Sequence, residues 1–197
     1  MRAPRIRILL LVATLYSGVV SCAQRSPQER EQLQVVASVS PITSLVEAIG
    51  RTNIDLVGIV PEGVNSHTFE PAPSDARLLA SADIVFINGL ALEEPIKKLA
   101  RANLNEGAQL VELGDRAIAE HEWIFDFSFP KERGDPNPHL WTNPPYVERF
   151  VRIITEELAE ADPANAARYN TNLRGVTESL QKLDQATREA SNTVNPD

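Results

Sequence analysis

Four short apolar runs, spaced by amphipathic stretches, constrain the fold of this chain more than any other feature. They are Leu33-Gln34-Val35-Val36-Ala37-Ser38-Val39, Ile54-Asp55-Leu56-Val57-Gly58-Ile59-Val60, Asp83-Ile84-Val85-Phe86-Ile87 and Gln109-Leu110-Val111-Glu112-Leu113. Each has the length of a strand, and the second and third are nearly continuous in their apolar character. That pattern suits strands covered on both faces, as in a parallel sheet. Strands that alternate with helical segments imply right-handed βαβ crossovers. The predicted fold class is therefore α/β, a parallel sheet with helices on both faces. In such a sheet every loop that follows a strand opens on the same edge, where α/β proteins bind ligands.

The helical segments follow from periodicity and punctuation. Pro41 can open a helix through Ile42, Leu45, Val46 and Ile49 that Gly50 closes. Ser74 or Asp75 can cap a helix over residues 75–82, and a third helix covers residues 94–102. A fourth starts at Asn143-Pro144-Pro145 and buries Val147, Phe150, Val151, Ile154 and Leu158 on one face. Asp162-Pro163 then reads as a cap with proline at the first helical position. The helix it predicts runs over 163–192 with a narrow apolar stripe of Ala166, Tyr169, Leu173, Val176, Leu180 and Leu183. At about 45 Å, such a helix is longer than one small domain needs and reads as a strut.

Two loops carry the chemistry. Residues 60–75 read V-P-E-G-V-N-S-H-T-F-E-P-A-P-S-D, with His67 between prolines that hold the loop extended and deny it a ladder. Residues 135–141 read D-P-N-P-H-L-W and fence His139 in the same way. A lone loop histidine is as often an ordinary surface residue as a ligand. Two on stiff loops at one sheet edge point to a divalent metal, because neutral imidazole binds zinc and similar ions. Two nitrogens do not complete a tight site, since zinc takes three or four protein ligands. The remaining donors are His121 and carboxylates such as Glu93 or Asp135. His121 lies in residues 114–138, where regular periodicity breaks down into an acidic, aromatic excursion. That stretch reads either as surface loop or as a lid or metal-collecting arm.

Charge and cysteine content exclude several alternatives. The chain has 19 basic and 27 acidic residues, which argues against nucleic acid, a partner that requires a basic face. Its single cysteine rules out an intramolecular disulfide and a thiolate zinc cluster. Residues 1–21 pair Arg2, Arg5 and Arg7 with a short apolar core, as a secretory signal does, and their removal makes the chain more acidic by three charges. The core meets Val19-Val20-Ser21-Cys22, which resembles the bacterial lipobox, so Cys22 is the expected site of lipidation. Several acyl chains, at about 0.8 kcal/mol per buried methylene, make a stable anchor. The expected organisation is a signal over 1–21, a tether over 22–32, an α/β lobe over 33–161 and the long helix over 162–194.

Three motifs in order carry a resemblance: P-E-G-V-N-S-H-T-F-E-P-A-P-S-D, then A-D-I-V-F-I-N-G-L-A-L-E, then N-P-H-L-W-T-N-P. Together they are similar to the zinc and manganese solute-receptor lipoproteins of bacterial ABC transporters, from about residue 33 to 197. The resemblance implies two α/β lobes joined by one rigid helix, with a divalent ion between them. His67 and His139 then match the two ligands of the first lobe, and residues 163–192 match the start of the joining helix. It implies Zn²⁺ or Mn²⁺ as transported ligand and permease membrane subunits as partners. It further implies a lipid-anchored extracytoplasmic location, a monomeric state and no catalysis. The sequence reads as stopping before the second lobe and its two ligands, so weak metal binding is expected unless His121, water or a partner completes the sphere. The excursion holds one histidine where zinc-selective members often carry many, which leaves zinc against manganese only a lean.

Two other classes fit less well. A zinc hydrolase would use His67, His121 and His139 with a carboxylate base. Yet His121-Glu122-Trp123-Ile124-Phe125 has Phe125 where a zincin helix needs its second histidine. No G-x-S-x-G elbow or phosphate-binding glycine loop is present either. In a metal-independent surface adhesin the histidines would be incidental.

Overall fold

The computed structural model describes residues 32–194; the expected signal, lipidation site and most of the tether lie outside the described residues. The elements are β1 (Leu33–Ala37), α1 (Ser40–Gly50), β2 (Ile54–Gly58), α2 (Pro73–Ser81), β3 (Ile84–Ile87), α3 (Glu94–Asn103), β4 (Gln109–Glu112), α4 (Leu113–Ala117), α5 (Pro144–Ala161) and α6 (Ala166–Val194). The four strands form one parallel sheet in the order β2-β1-β3-β4. The α/β expectation holds.

The strand order explains the burial. β1 and β3 are central, and all four residues of β3 are buried, as its unbroken apolar run requires. β2 is an edge strand, and Asp55 and Val57 face solvent, so the reading of residues 54–60 as a buried strand is corrected. The polar Asp55 between Ile54 and Leu56 was the half-exposed signal, although Val57 on the same outward face masked it. The chain steps outward from β1 to β2 and then crosses back to β3 on the other side of β1. With right-handed crossovers, that reversal places α1 on one face and α2 and α3 on the other. α1 packs with α5 and α6, and α2 packs with α3. Phe86, Ile84, Ile87, Phe150 and Ile154 are nearly inaccessible within the core, each worth about 1.5–3 kcal/mol of burial.

Helix ends show where local rules were overridden. α2 begins at Pro73, and neither Ser74 nor Asp75 is its cap. Asp75 instead sits in the first turn, where its carboxylate accepts the Ala72 N–H at 2.7 Å. α1 does end at Gly50, but the residue with positive φ is Arg51 (φ 47°). Gly50 is required by space: a Cβ there would collide with the Ile54 side chain. Asp162-Pro163 forms a turn, and α6 starts later, at Ala166. The Asp162 carboxylate accepts the Asn165 amide at 2.7 Å and the hydroxyl of fully buried Tyr169 at 2.8 Å, which ties the turn to the helix. α6 spans 29 residues, about 44 Å. Leu173, Val176 and Leu180 of its stripe lie against the core, while Leu183 is exposed.

Candidate metal centre

The loop after β2 carries a single 3₁₀ turn, Ser66–Thr68, opened by Asn65, whose side-chain oxygen accepts the His67 N–H at 3.0 Å. His67 is thereby held out from the sheet edge, exposed. His139 precedes another 3₁₀ turn, Leu140–Thr142, and Pro136 and Pro138 beside it are buried. The structure brings the two imidazoles together with Nε2 to Nε2 at 3.1 Å. Two nitrogens bound tetrahedrally to zinc at its usual bond length stand about 3.3 Å apart. The observed separation therefore fits a shared ion with little movement.

The two rings are held very differently. His139 Nδ1 lies 2.7 Å from Asn137 Oδ1, which also accepts the His139 backbone N–H at 2.9 Å. The Asn137 amide donates to Asp126 Oδ2 at 2.5 Å, and Asp126 Oδ1 accepts the N–H groups of Ser128 and Phe129. Trp141 and Phe129 meet the His139 ring edge-on, at 5.0 and 5.4 Å between centroids. His67 has the Phe129 ring at 6.0 Å and His139 itself. Partial burial, and next the facing His67, hold the His139 imidazole below its usual pKa range, which keeps the ring neutral and able to donate a lone pair. The Asp126 carboxyl is held below its usual range chiefly by the Phe129 N–H and the Asn137 amide.

Behind the histidines, at the reversal of strand order, lies a buried carboxylate. Glu93 is 2% exposed. Its Oε1 accepts the Ser38 hydroxyl at 2.5 Å and the Asn88 N–H at 2.7 Å; Oε2 accepts the Gly89 N–H at 3.2 Å. It thus joins the ends of β1 and β3 and is not available as a metal donor. Asn88 reaches onward, donating to the Pro138 carbonyl at 3.0 Å, which fixes the histidine loop to the sheet. Gly89, Leu90 and Ala91 follow with positive φ (79°, 52° and 60°), and the Leu90 N–H is held by Asp115 at 2.9 Å. This strained turn and Phe129 wall a cavity of about 170 Å³ beside His67, with Asp135 and Arg133 on its rim.

His121 does not join the pair. It lies exposed on the turn Glu120–Glu122, which Arg149 of α5 clamps through Glu122 at 2.7 Å and the Ala117 carbonyl at 3.0 Å. Among the described residues, no three His, Cys, Asp or Glu side chains gather closely enough to hold a metal. The sequence reading missed Asn137, Asp126 and the structural use of Glu93. The Asn-Pro-His spacing was the available signal for Asn137; Asp126 had none, because its partner lies 11 residues away.

A four-stranded parallel lobe that presents two facing imidazoles from its strand-end edge belongs to the fold class of periplasmic metal-binding proteins. A periplasmic zinc-binding protein from Treponema pallidum, TroA, superposes with a TM-score of 0.74 at 21% identity, over 83% of this chain and 56% of that one. The Mn-bound periplasmic metal-binding protein of Candidatus Liberibacter asiaticus matches with a TM-score of 0.65 and 27% identity, over 76% and 53% of the two chains. The family model ZnuA, zinc-uptake complex component A, periplasmic, matches residues 35–197, and the chain belongs to that family. Among its relatives, the metal ABC transporter substrate-binding lipoprotein ScbA of Streptococcus cristatus is 33% identical over 192 residues, 95% of this chain and 62% of its own length. The manganese ABC transporter substrate-binding lipoprotein PsaA of Streptococcus anginosus is 32% identical over 189 residues, 94% of this chain and 61% of its own. The chain spans about three-fifths of the length of the curated relatives it matches.

Proposed function

We propose that this chain is the first lobe and linking helix of an extracytoplasmic receptor that captures Zn²⁺ or Mn²⁺ and delivers it to an ABC-type permease. The approach of His67 and His139 Nε2 to 3.1 Å carries this reading, because two imidazole nitrogens at that distance form half a tetrahedral sphere. In it His67 and His139 are the metal ligands, and α6 is the rigid strut. The other positions are filled by donors outside the described lobe, by water or by a partner. Membrane attachment falls to a lipid on Cys22, after removal of residues 1–21, with residues 22–32 as tether and the receptor working as a monomer. In this reading the ion is cargo, and the protein works as a binding receptor.

Calorimetric titration with Zn²⁺ and Mn²⁺ tests the assignment. His67→Ala and His139→Ala should each remove most of the metal affinity while leaving the unfolding midpoint nearly unchanged, since neither ring belongs to the core. Unchanged affinity in both variants would sink the ligand assignment. Cys22→Ser should release the expressed protein from the membrane fraction; retention there would remove the anchor.

A further inference from the structure

The excursion between α4 and His139 returns to the site through Asp126 and Phe129, and the hydrogen bonds around Asp126 have a definite polarity. Asp126 as a carboxylate only accepts, so the group of Asn137 facing its Oδ2 must be the amide NH₂. That leaves Asn137 Oδ1 facing the backbone N–H and Nδ1 of His139, where an oxygen only accepts. Nδ1 must then carry the imidazole proton, and Nε2, the nitrogen turned toward His67, is left with its lone pair. Asp126 is itself fixed by the N–H groups of Ser128 and Phe129, so the amide is oriented from two ends, by Asp126 within the excursion and by the His139 backbone N–H.

We propose that Asp126 is a positioning residue for metal capture: by orienting the Asn137 amide it holds His139 in the Nδ1–H tautomer, with Nε2 free for the ion. This rests on the metal-receptor reading and gives residues 114–138 a part in it. The excursion serves as a strap that sets one ligand's tautomer, and Phe129, on the same strap, walls the ring.

The test separates positioning from mere loop support. Long-range ¹H–¹⁵N spectra of the metal-free chain at neutral pH should show His139 protonated at Nδ1 and bare at Nε2. Asp126→Ala should shift His139 toward the Nε2–H form and weaken Zn²⁺ binding by about 10–100-fold, the usual cost of losing a partner behind a ligand. A carboxylate at position 137 needs no orienting, because either oxygen accepts from Nδ1. The double variant D126A/N137D should therefore recover both the Nδ1–H tautomer and the affinity, although the strap contact stays broken. An Nε2–H tautomer in the wild type, an unchanged tautomer in D126A, or a double variant as weak as D126A would each overturn the proposal. Because the tautomer is read without metal, the two readings fail separately. A chain with the expected tautomer shift that bound no Zn²⁺ would support Asp126's role and overturn only the receptor function.

Discussion

Removing the buried Glu93 carboxylate should destabilise this lobe strongly. Glu93→Ala leaves two backbone N–H groups, of Asn88 and Gly89, pointing into a site that water does not reach. Each buried donor without a partner costs about 1–3 kcal/mol. The one lost methylene adds about 0.8 kcal/mol. Relief of the carboxylate's own desolvation works in the other direction, and the Ser38 hydroxyl can rotate to find another acceptor. The net loss should be about 3 kcal/mol, a large share of the roughly 5–15 kcal/mol of a typical domain. Urea unfolding followed by Trp123 and Trp141 fluorescence measures it. A loss below about 1 kcal/mol would mean that the ends of β1 and β3 are held together by packing alone and that the network is incidental.

Glu93→Gln distinguishes charge from shape. The isosteric amide keeps an oxygen for Ser38 and Asn88 but turns an NH₂ toward the Gly89 N–H. Burial pushes the Glu93 carboxyl above its usual range, although Ser38 and the two N–H groups pull it partly back. A raised carboxyl binds its proton more tightly in the folded than in the unfolded state. Its stability contribution is therefore complete below the ordinary glutamate range and is lost as pH rises through the raised value. The stability of wild type minus that of Glu93→Gln should fall across that window and then level off. A flat difference would refute the shift.

Other perturbations follow from the same contacts. Tyr169→Phe should lose about 1 kcal/mol, since the buried hydroxyl's bond to Asp162 is removed while the ring stays packed; urea titration reads it. Gly89→Ala should cost at least about 2 kcal/mol, because φ is 79° and the new Cβ would strike the Asp115 carboxylate that holds the strained turn. Asn88→Ala should cost only about 1 kcal/mol, as it also removes an amide oxygen that is buried without a partner. Hydrogen exchange should nonetheless quicken around residues 138–140, which that amide ties to the sheet.

The sheet was legible because its signals are local. A run such as Ile84–Ile87 reports two covered faces by composition alone, and spacing then places helices between the strands. What could not be read was strand order, and with it the exposure of β2, because the position of a strand in a sheet is set by crossovers between distant elements. Helix ends misled for a related reason. Asp75 and Asp162 are the residue types that cap helices, yet each satisfies a neighbouring group one turn away from the capping position.

The candidate site divides along the same line. Prolines around His67 and His139 are sequence-near and announce stiff loops, and the structure does bring the two Nε2 atoms to 3.1 Å. The groups that differentiate those rings act across gaps that periodicity does not bridge: Asp126 to Asn137, Glu93 to Ser38, Asn88 to Pro138. These contacts act mainly on the His139 side. His139 is braced by the Asn137 amide and two further aromatic rings, and its loop is tied to the sheet core; His67 stands exposed on a single turn. Under the proposed ligand assignment, an ion would meet one preorganised nitrogen and one with freedom to adjust, so that closing the pair would require ordering chiefly the His67 side.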